Sequence, residues 1–158
     1  MSGIRSVLIV DDSSDDADIA GHVVAHSTKK PDGVQLSVDL LEDSDSVQSH
    51  IESYGIPSIF VLDGQFPQAL QGVDLAERLV SYGRPLVLRT GGIPQHEAVR
   101  LHELWTRGQV TGVFSKDDLH PLDHLPALLY DADHRAHHMA REAISASTQT
   151  FFKSLGLM

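Results

Sequence analysis

Residues 7–12 read Val7-Leu8-Ile9-Val10-Asp11-Asp12. The four apolar residues form a continuous run, which is typical of a strand buried on both faces of a parallel sheet. Three further runs have the same form and end at or near a polar side chain: Ile59 to Leu62 before Asp63, Leu86 to Leu88 near Thr90, and Val110 to Phe114 before Lys116. A weaker, alternating stretch over residues 34–41 predicts a fifth strand nearer an edge of the sheet.

Amphipathic stretches separate these runs and predict helices. They cover Asp15 to Ala25, Val73 to Val80 and His96 to Trp105, each with apolar residues at helical spacing. Glycines 55, 83 and 108 stand where a helix would stop and a strand would begin. Strand and helix therefore alternate along the chain. This order predicts an α/β fold with a doubly wound, five-stranded parallel sheet and right-handed crossovers.

The composition narrows the possible functions. A chain of 158 residues with 41% hydrophobic content supports one core rather than two. Its formal net charge of -10 disfavours nucleic acid and anionic membranes as partners. The absence of cysteine excludes thiolate catalysis and disulfides and fits a cytoplasmic location, which we expect. The N-terminal apolar run is too short for a signal sequence or a membrane span.

Polar side chains follow the predicted strands at the edge where an open α/β sheet binds its ligands. They are Asp11, Asp12, Asp63, Thr90 and Lys116. Neighbouring carboxylates repel one another unless a cation lies among them, and Mg²⁺ prefers such oxygen ligands. A carboxylate can also be the nucleophile in phosphoryl transfer, with a hydroxyl and an ammonium group holding the remaining oxygens. The set therefore predicts a magnesium-dependent phosphoryl site.

Each motif alone has a simpler interpretation. The acidic pair at 11 and 12 is typical of a helix cap, and Asp63-Gly64 is typical of a turn. A single lysine after a strand is usually a solvated surface residue. Only their joint placement at successive strand ends favours a site.

In four segments the chain resembles the receiver domains of bacterial response regulators. These segments are Leu8 to Asp12, Asp63 to Pro67, Leu88 to Gly92 and Phe114 to Asp117. The resemblance covers roughly residues 5 to 130 in the order of the family. It implies the flavodoxin-like receiver fold with strand order 2-1-3-4-5.

The resemblance also implies a metal site. Asp12 and Asp63 would bind Mg²⁺ together with the backbone carbonyl of Gln65, and Asp11 would support the metal through water. Magnesium is therefore the expected cofactor.

The phosphoryl chemistry implied by the resemblance is centred on Asp63, which would accept the group from a sensor histidine kinase or a phosphotransfer protein. Thr90 resembles the hydroxyl that moves toward the phosphoryl group, and Lys116 resembles the lysine that pairs with it. The chain departs from the family in three places, one of which is the pair Gly91-Gly92 directly after Thr90, a small and flexible approach to the phosphate. Asp117 stands where many receivers have proline, and Val113 stands where the family usually has an aromatic residue.

We predict a receiver domain over residues 1–130 and a helical extension over residues 131–158. An apolar stripe at 3-4 spacing predicts a long helix from Asp123 to about residue 147. The stripe consists of Leu122, Leu125, Leu129, Ala132, Ala136, Met139 and Ala143. It could form a homodimer or partner helix, or it could bend back over its own domain; the sequence leaves both open.

The functional hypothesis is a single-domain response regulator of a two-component phosphorelay. It would be a phosphoprotein switch that signals to an unknown downstream protein by contact, with no enzymatic activity beyond self-catalysed phosphoryl transfer and autodephosphorylation. One alternative is a degenerate receiver that serves as a constitutive dimerisation or binding module. Another is a magnesium-dependent phosphohydrolase, which Gln65 disfavours because that class needs a second aspartate there for acid-base catalysis.

Overall fold

The computed structural model describes residues 3–26, 33–129 and 134–158. Its strands form a parallel sheet in the order β2-β1-β3-β4-β5. The strands are β1 (Gly3–Val10), β2 (Val34–Leu41), β3 (Ile59–Asp63), β4 (Leu86–Thr90) and β5 (Gly112–Ser115). The predicted fold class and strand order are confirmed, and the alternating stretch is the edge strand β2.

Helices cover the sheet on both faces. They are α1 (Ser14–Ala25), α2 (Val47–Tyr54), α3 (Gly72–Leu79), α4 (Gln95–Thr106), α5 (His120–His124) and α6 (His134–Ser154). The sequence pattern did not predict α2, because only Val47 and Ile51 of its eight residues are buried and the other positions are mostly polar. A 3-10 turn over Val80–Tyr82 continues α3.

The core lies in two layers, one on each face of the sheet. In β1, Val7 and Ile9 face the layer shared with α1 and α6, whereas Leu8 and Val10 face the layer shared with α2, α3 and α4. All five residues of β3 and of β4 are buried. The continuous apolar runs in the sequence therefore arise from burial on both faces.

Strand β4 ends at Thr90, as predicted, two residues after the apolar run Leu86 to Leu88. Asp63 of β3 pairs with Arg89 of β4, so the ladder continues through Arg89 to Thr90. Arg89 is therefore a buried strand residue although it is charged. Strand β5 begins two residues later than predicted, at Gly112, and ends one residue later.

The predicted continuous C-terminal helix is wrong in its first part. Helix α5 begins before Asp123, which lies inside it instead of capping it, and ends at His124. A 3-10 turn then covers Pro126–Leu129, because proline lacks the N–H that an α-helix interior requires. The predicted boundary between residues 130 and 131, and Ala132 of the stripe, lie outside the described residues.

Helix α6 packs against the protein's own sheet. Its buried positions recur every four residues, at Ala140, Ile144, Thr148 and Phe152, whereas Met139 of the predicted stripe is 56% exposed. The predicted apolar stripe therefore does not mark the buried face of α6. The sequence left two alternatives open, a dimer or partner helix and a segment that bends back over its own domain. The burial of this face fits the second alternative.

Two residues of β5 fit this packing closely. A Cβ on Gly112 would lie 2.5 Å from the side chain of Ile144, so glycine permits the close approach of α6. The Thr148 hydroxyl accepts a hydrogen bond from the backbone N–H of Val113 at 3.1 Å. This bond satisfies an N–H on the edge strand of the sheet.

In the ranges that the structure describes, no helix is both long enough and apolar enough to cross a membrane.

Candidate functional site

The carboxyl ends of four strands bring the predicted polar residues to one edge of the sheet. Asp63 ends β3, Asp11 follows β1, and Thr90 ends β4. The backbone N–H of Lys116, just after β5, donates to the Thr90 carbonyl at 3.0 Å. Parallel pairing of β1, β3, β4 and β5 thus places these residues side by side.

The three predicted acidic residues form one cluster. Carboxylate oxygens of Asp11, Asp12 and Asp63 all lie within 4.8 Å of one another. Asp11 and Asp63 are 2% and 3% exposed, while Asp12 is exposed to solvent. Three oxygen donors at this spacing, with one side open to water, fit Mg²⁺, which keeps several water ligands.

Lys116 links this cluster to α1. Its Nζ donates to Asp63 Oδ2 at 3.0 Å, to Asp11 Oδ1 at 3.2 Å and to Asp16 Oδ2 at 3.1 Å. Asp16 was not among the predicted site residues. Its place in the first turn of α1, only a few residues after the Asp11-Asp12 pair, was the signal that could have identified it.

The charges of the cluster shift its pKa values. Burial and the neighbouring Asp12 and Asp11 carboxylates raise the pKa of Asp63 to about 7, although the hydrogen bonds from the Gln65 N–H and the Lys116 ammonium lower it. Burial alone would lower the pKa of Lys116, but its hydrogen bonds to Asp63 and Asp16 raise that pKa above its ordinary value. Lys116 is therefore a permanent cation at neutral pH, whereas Asp63 needs additional positive charge to stay ionised.

Two glycines allow the backbone to close around Asp63. A Cβ on Gly72, at the start of α3, would lie 2.1 Å from the backbone oxygen of Asp63. A Cβ on Gly64 would lie 2.7 Å from the Thr90 Cβ. Larger residues at either position would push β3 away from α3 or β4.

The Thr90 side chain is buried and hydrogen-bonded to its own loop. Its hydroxyl accepts from the backbone N–H of Gly92 and lies 3.0 Å from the Gly92 carbonyl oxygen. In the described part of the chain, no hydrogen bond joins Thr90 to the Asp63 carboxylate. The predicted movement of this hydroxyl toward a phosphoryl group would have to exchange these loop contacts for new ones.

Gln65 connects the site to α4 through its side chain. Its backbone N–H donates to Asp63 Oδ1 at 3.1 Å, and its side-chain amide donates to Glu97 Oε1 at 2.9 Å. Glu97 is 7% exposed and lies in the first turn of α4. Glu97 was not predicted as a site residue, because its place on a helix does not indicate a hydrogen bond to a distant loop.

Val113, which stands where the receiver pattern has an aromatic residue, and its neighbour Phe114 face opposite layers of the core. Val113 packs in the layer of α2, α3 and α4, while the neighbouring Phe114 packs in the layer of α1 and α6. Both are fully buried. Phe114 therefore does not supply, on the α4 side of the sheet, the aromatic side chain that the family usually has at the position of Val113.

The sequence of the chain does not match any protein-family model or any of the curated proteins with which it was compared. Similarity is found among solved structures. The isolated receiver domain of RcsB from Salmonella enterica serovar Typhimurium, solved in the presence of the phosphomimetic BeF3⁻, has a TM-score of 0.62 and 13% identity; the match covers 87% of this chain and 99% of that one.

Two further structures extend this similarity. A CheY-like receiver domain protein from Methanospirillum hungatei JF-1 has a TM-score of 0.59 and 14% identity, with 94% of this chain and 99% of that chain covered. The signal receiver domain of a modulated diguanylate cyclase from Desulfovibrio desulfuricans G20 has a TM-score of 0.58 and 19% identity, with coverages of 91% and 98%. The chain therefore has the receiver fold over most of its length.

Proposed function

We propose that this protein is a phosphoacceptor switch of a two-component phosphorelay, with Asp63 as the residue that becomes phosphorylated. The observation that carries the proposal is the convergence of Lys116, Asp11 and Asp12 on the buried Asp63 carboxylate. The receiver fold supports a signalling switch rather than an enzyme with turnover. Membership of the response regulators is part of the same proposal.

Asp11, Asp12 and Asp63 would hold Mg²⁺, with the Gln65 backbone carbonyl as a further proposed ligand. The metal would supply positive charge to the transferring phosphoryl oxygens. A carboxylate oxygen of Asp63 attacks phosphorus, the bond from phosphorus to the donor breaks, and the donor leaves with that electron pair. Lys116 is already within 3.0 Å of Asp63 Oδ2 and would pair with the new phosphoryl oxygens.

The buried contacts around the site give a route by which phosphorylation could change the surface. Thr90 would exchange its bonds to Gly92 for a bond to the phosphoryl group, which would shift the loop before α4. The Gln65–Glu97 hydrogen bond gives α4 a second link to the site. Phosphorylation would then bias an equilibrium between two positions of α4 and alter the face that partners contact.

The partners that we propose are a sensor histidine kinase or phosphotransfer protein as donor and a downstream protein as target. The RcsB receiver domain was solved in the presence of the phosphomimetic BeF3⁻, and the cluster of Asp11, Asp12 and Asp63 makes the same probe suitable for testing this chain. With a net charge of -10, protein contact is a better output for this chain than direct binding of nucleic acid.

The test is intact-mass spectrometry of the wild type and of Asp63→Asn after incubation with Mg²⁺ and acetyl phosphate or phosphoramidate. We expect one added phosphoryl group in the wild type and none in the variant. Asp18→Asn, which changes an exposed carboxylate on α1, is the matched control and should behave as the wild type. Equal labelling of Asp63→Asn would exclude Asp63 as the acceptor.

The degenerate-receiver alternative predicts a different result. A constitutive module would keep the same oligomeric state and partner affinity whether or not the acidic pocket is occupied by BeF3⁻ and Mg²⁺. Homodimerisation through the C-terminal helix stays a prediction, and it would have to use the outer face of α6, because Ala140, Ile144, Thr148 and Phe152 are buried. Size-exclusion chromatography with and without BeF3⁻ tests both points.

A further inference from the structure

Arg89 is a buried charged residue that the receiver pattern does not explain. It lies in β4 between Leu88 and Thr90, opposite Asp63 in the ladder with β3. Its side chain is among the largest that are fully buried in the described chain, with 2% of the residue exposed. An arginine stays charged at all ordinary pH values, so this burial places a permanent positive charge inside the fold.

The guanidinium contacts the backbone beneath the acidic cluster. Nη1 donates to the carbonyl oxygen of Asp16 at 3.4 Å, and Nη2 donates to the carbonyl oxygen of Lys116 at 3.3 Å. Nε has no hydrogen-bond partner among the described residues. Arg89 thus ties the first turn of α1 to the loop after β5, which are the two segments that present Asp16 and Lys116 to the site.

With Arg89 included, the net charge of the pocket is equal and opposite to that of one Mg²⁺ ion. The pocket contains four carboxylates, those of Asp11, Asp12, Asp16 and Asp63, and two cations, Lys116 and Arg89. When all are ionised, two negative charges remain, which is the charge that one Mg²⁺ neutralises. Without Arg89 three negative charges would remain, so a cation would bind more tightly and a phosphoryl anion would be repelled more strongly.

We propose that Arg89 is an electrostatic positioning residue that weakens the affinity of the pocket for divalent cations and, in return, lets the pocket accept a phosphoryl anion. This inference rests on the proposed function for its second half, while its first half concerns cation binding alone. Arg89 does not touch the reacting atoms. It acts through the charge of the pocket and through the positions of Asp16 and Lys116.

The experiment measures Mg²⁺ affinity by isothermal titration calorimetry and the rate of phosphorylation by acetyl phosphate at saturating Mg²⁺. The neutral variants are Arg89→Met and Arg89→Gln; the second retains an amide donor for the buried carbonyl oxygens. Arg89→Lys retains the charge. Arg107→Met removes the same charge from an exposed position after α4 and is the matched control. Circular dichroism and thermal unfolding verify that each variant is folded.

We expect the two measurements to change in opposite directions. In the neutral variants the Kd for Mg²⁺ should fall by on the order of tenfold, because a like charge is removed from beside the cation. The phosphorylation rate should fall by on the order of tenfold, because less positive charge stabilises the incoming anion. Arg89→Lys should restore the Mg²⁺ affinity to near the wild-type value, and Arg107→Met should change neither quantity.

A purely structural role would give a different pattern. If a folded neutral variant bound Mg²⁺ as weakly as the wild type or more weakly, the electrostatic role of Arg89 would be refuted. If the wild type took up no phosphoryl group while the Mg²⁺ affinities changed as expected, the proposed function would fail and the effect of Arg89 on the pocket would stand. Absence of Mg²⁺ binding by the wild type would overturn the inference.

Discussion

Replacing Asp63 by asparagine should stabilise the metal-free protein at neutral and alkaline pH. Asp63 is buried beside two other carboxylates, and its pKa is raised from 3.8 to about 7 in the folded state. Between these two pH values the folded state binds more protons at Asp63 than the unfolded state does. The free energy of unfolding of the wild type therefore falls as the pH rises through this window.

The size of the effect follows from the pKa difference. Each pKa unit corresponds to about 1.36 kcal/mol, so a shift from 3.8 to about 7 is worth on the order of 4 kcal/mol. Asparagine has nearly the same shape as a protonated aspartate and does not titrate. We therefore expect Asp63→Asn to be more stable than the wild type by on the order of 4 kcal/mol at pH 8, and by little near pH 4.

Urea unfolding in EDTA, followed by the fluorescence of Trp105, measures this difference at several pH values. Other carboxylates titrate in both proteins, so the difference between the two curves isolates Asp63. Asp18→Asn, an exposed change on α1, should follow the wild type. Saturating Mg²⁺ should reduce the advantage of Asp63→Asn, because the cation stabilises the ionised carboxylate. Parallel curves for wild type and Asp63→Asn from pH 4.5 to 8 would refute the reasoning.

Three further outcomes follow from individual contacts. Mg²⁺ should raise the melting temperature of the wild type and have a weaker effect on Asp12→Asn, as differential scanning fluorimetry can measure. Thr148→Val should lower the free energy of unfolding by about 1 to 3 kcal/mol in urea titrations, because the Val113 N–H loses its acceptor. Gly72→Ala should cost about 1 to 3 kcal/mol and also weaken Mg²⁺ binding in calorimetry, because its Cβ would displace the Asp63 backbone.

The sequence was sufficient for the parts of the fold that depend on hydrophobic burial. The runs at Val7 to Val10 and Ile59 to Leu62 are apolar because both faces of the central strands are covered. Polar residues directly after those runs must then lie at the carboxyl edge of the sheet. For this reason Asp11 and Asp63 could be predicted to lie together before any distance was known.

The rest depends on contacts between elements that no local pattern encodes. Glu97 lies on α4, and its hydrogen-bond partner Gln65 lies on a different segment. The spacing of the two residues in the sequence therefore does not predict their contact. Arg89 interrupts an apolar run, and its burial is compensated by the negative charges of Asp16 on α1, of Asp11 after β1 and of Asp63 at the end of β3. Interactions between charged residues that are distant in sequence can be identified only from the folded structure.

The α6 helix shows the same limit for apolar residues. Two stripes are present in its sequence, one through Met139 and one through Ile144 and Phe152, and periodicity alone does not decide which is buried. Gly112 decides it, because only a residue without a side chain lets Ile144 and Thr148 approach β5 so closely.

The core holds the site in an electrostatically unfavourable arrangement, as the proposed switch requires. The buried strands fix Asp11 and Asp63 close together in a place where their charges are unfavourable, so the metal-free pocket favours a proton on Asp63. A divalent cation or a phosphoryl group with its cation changes that balance. Because the strands are held by the two core layers, the response must come from the less constrained parts of the site. In the proposed switch, that response would come from the Thr90–Gly92 loop and from the first turn of α4, which Gln65 connects to Asp63.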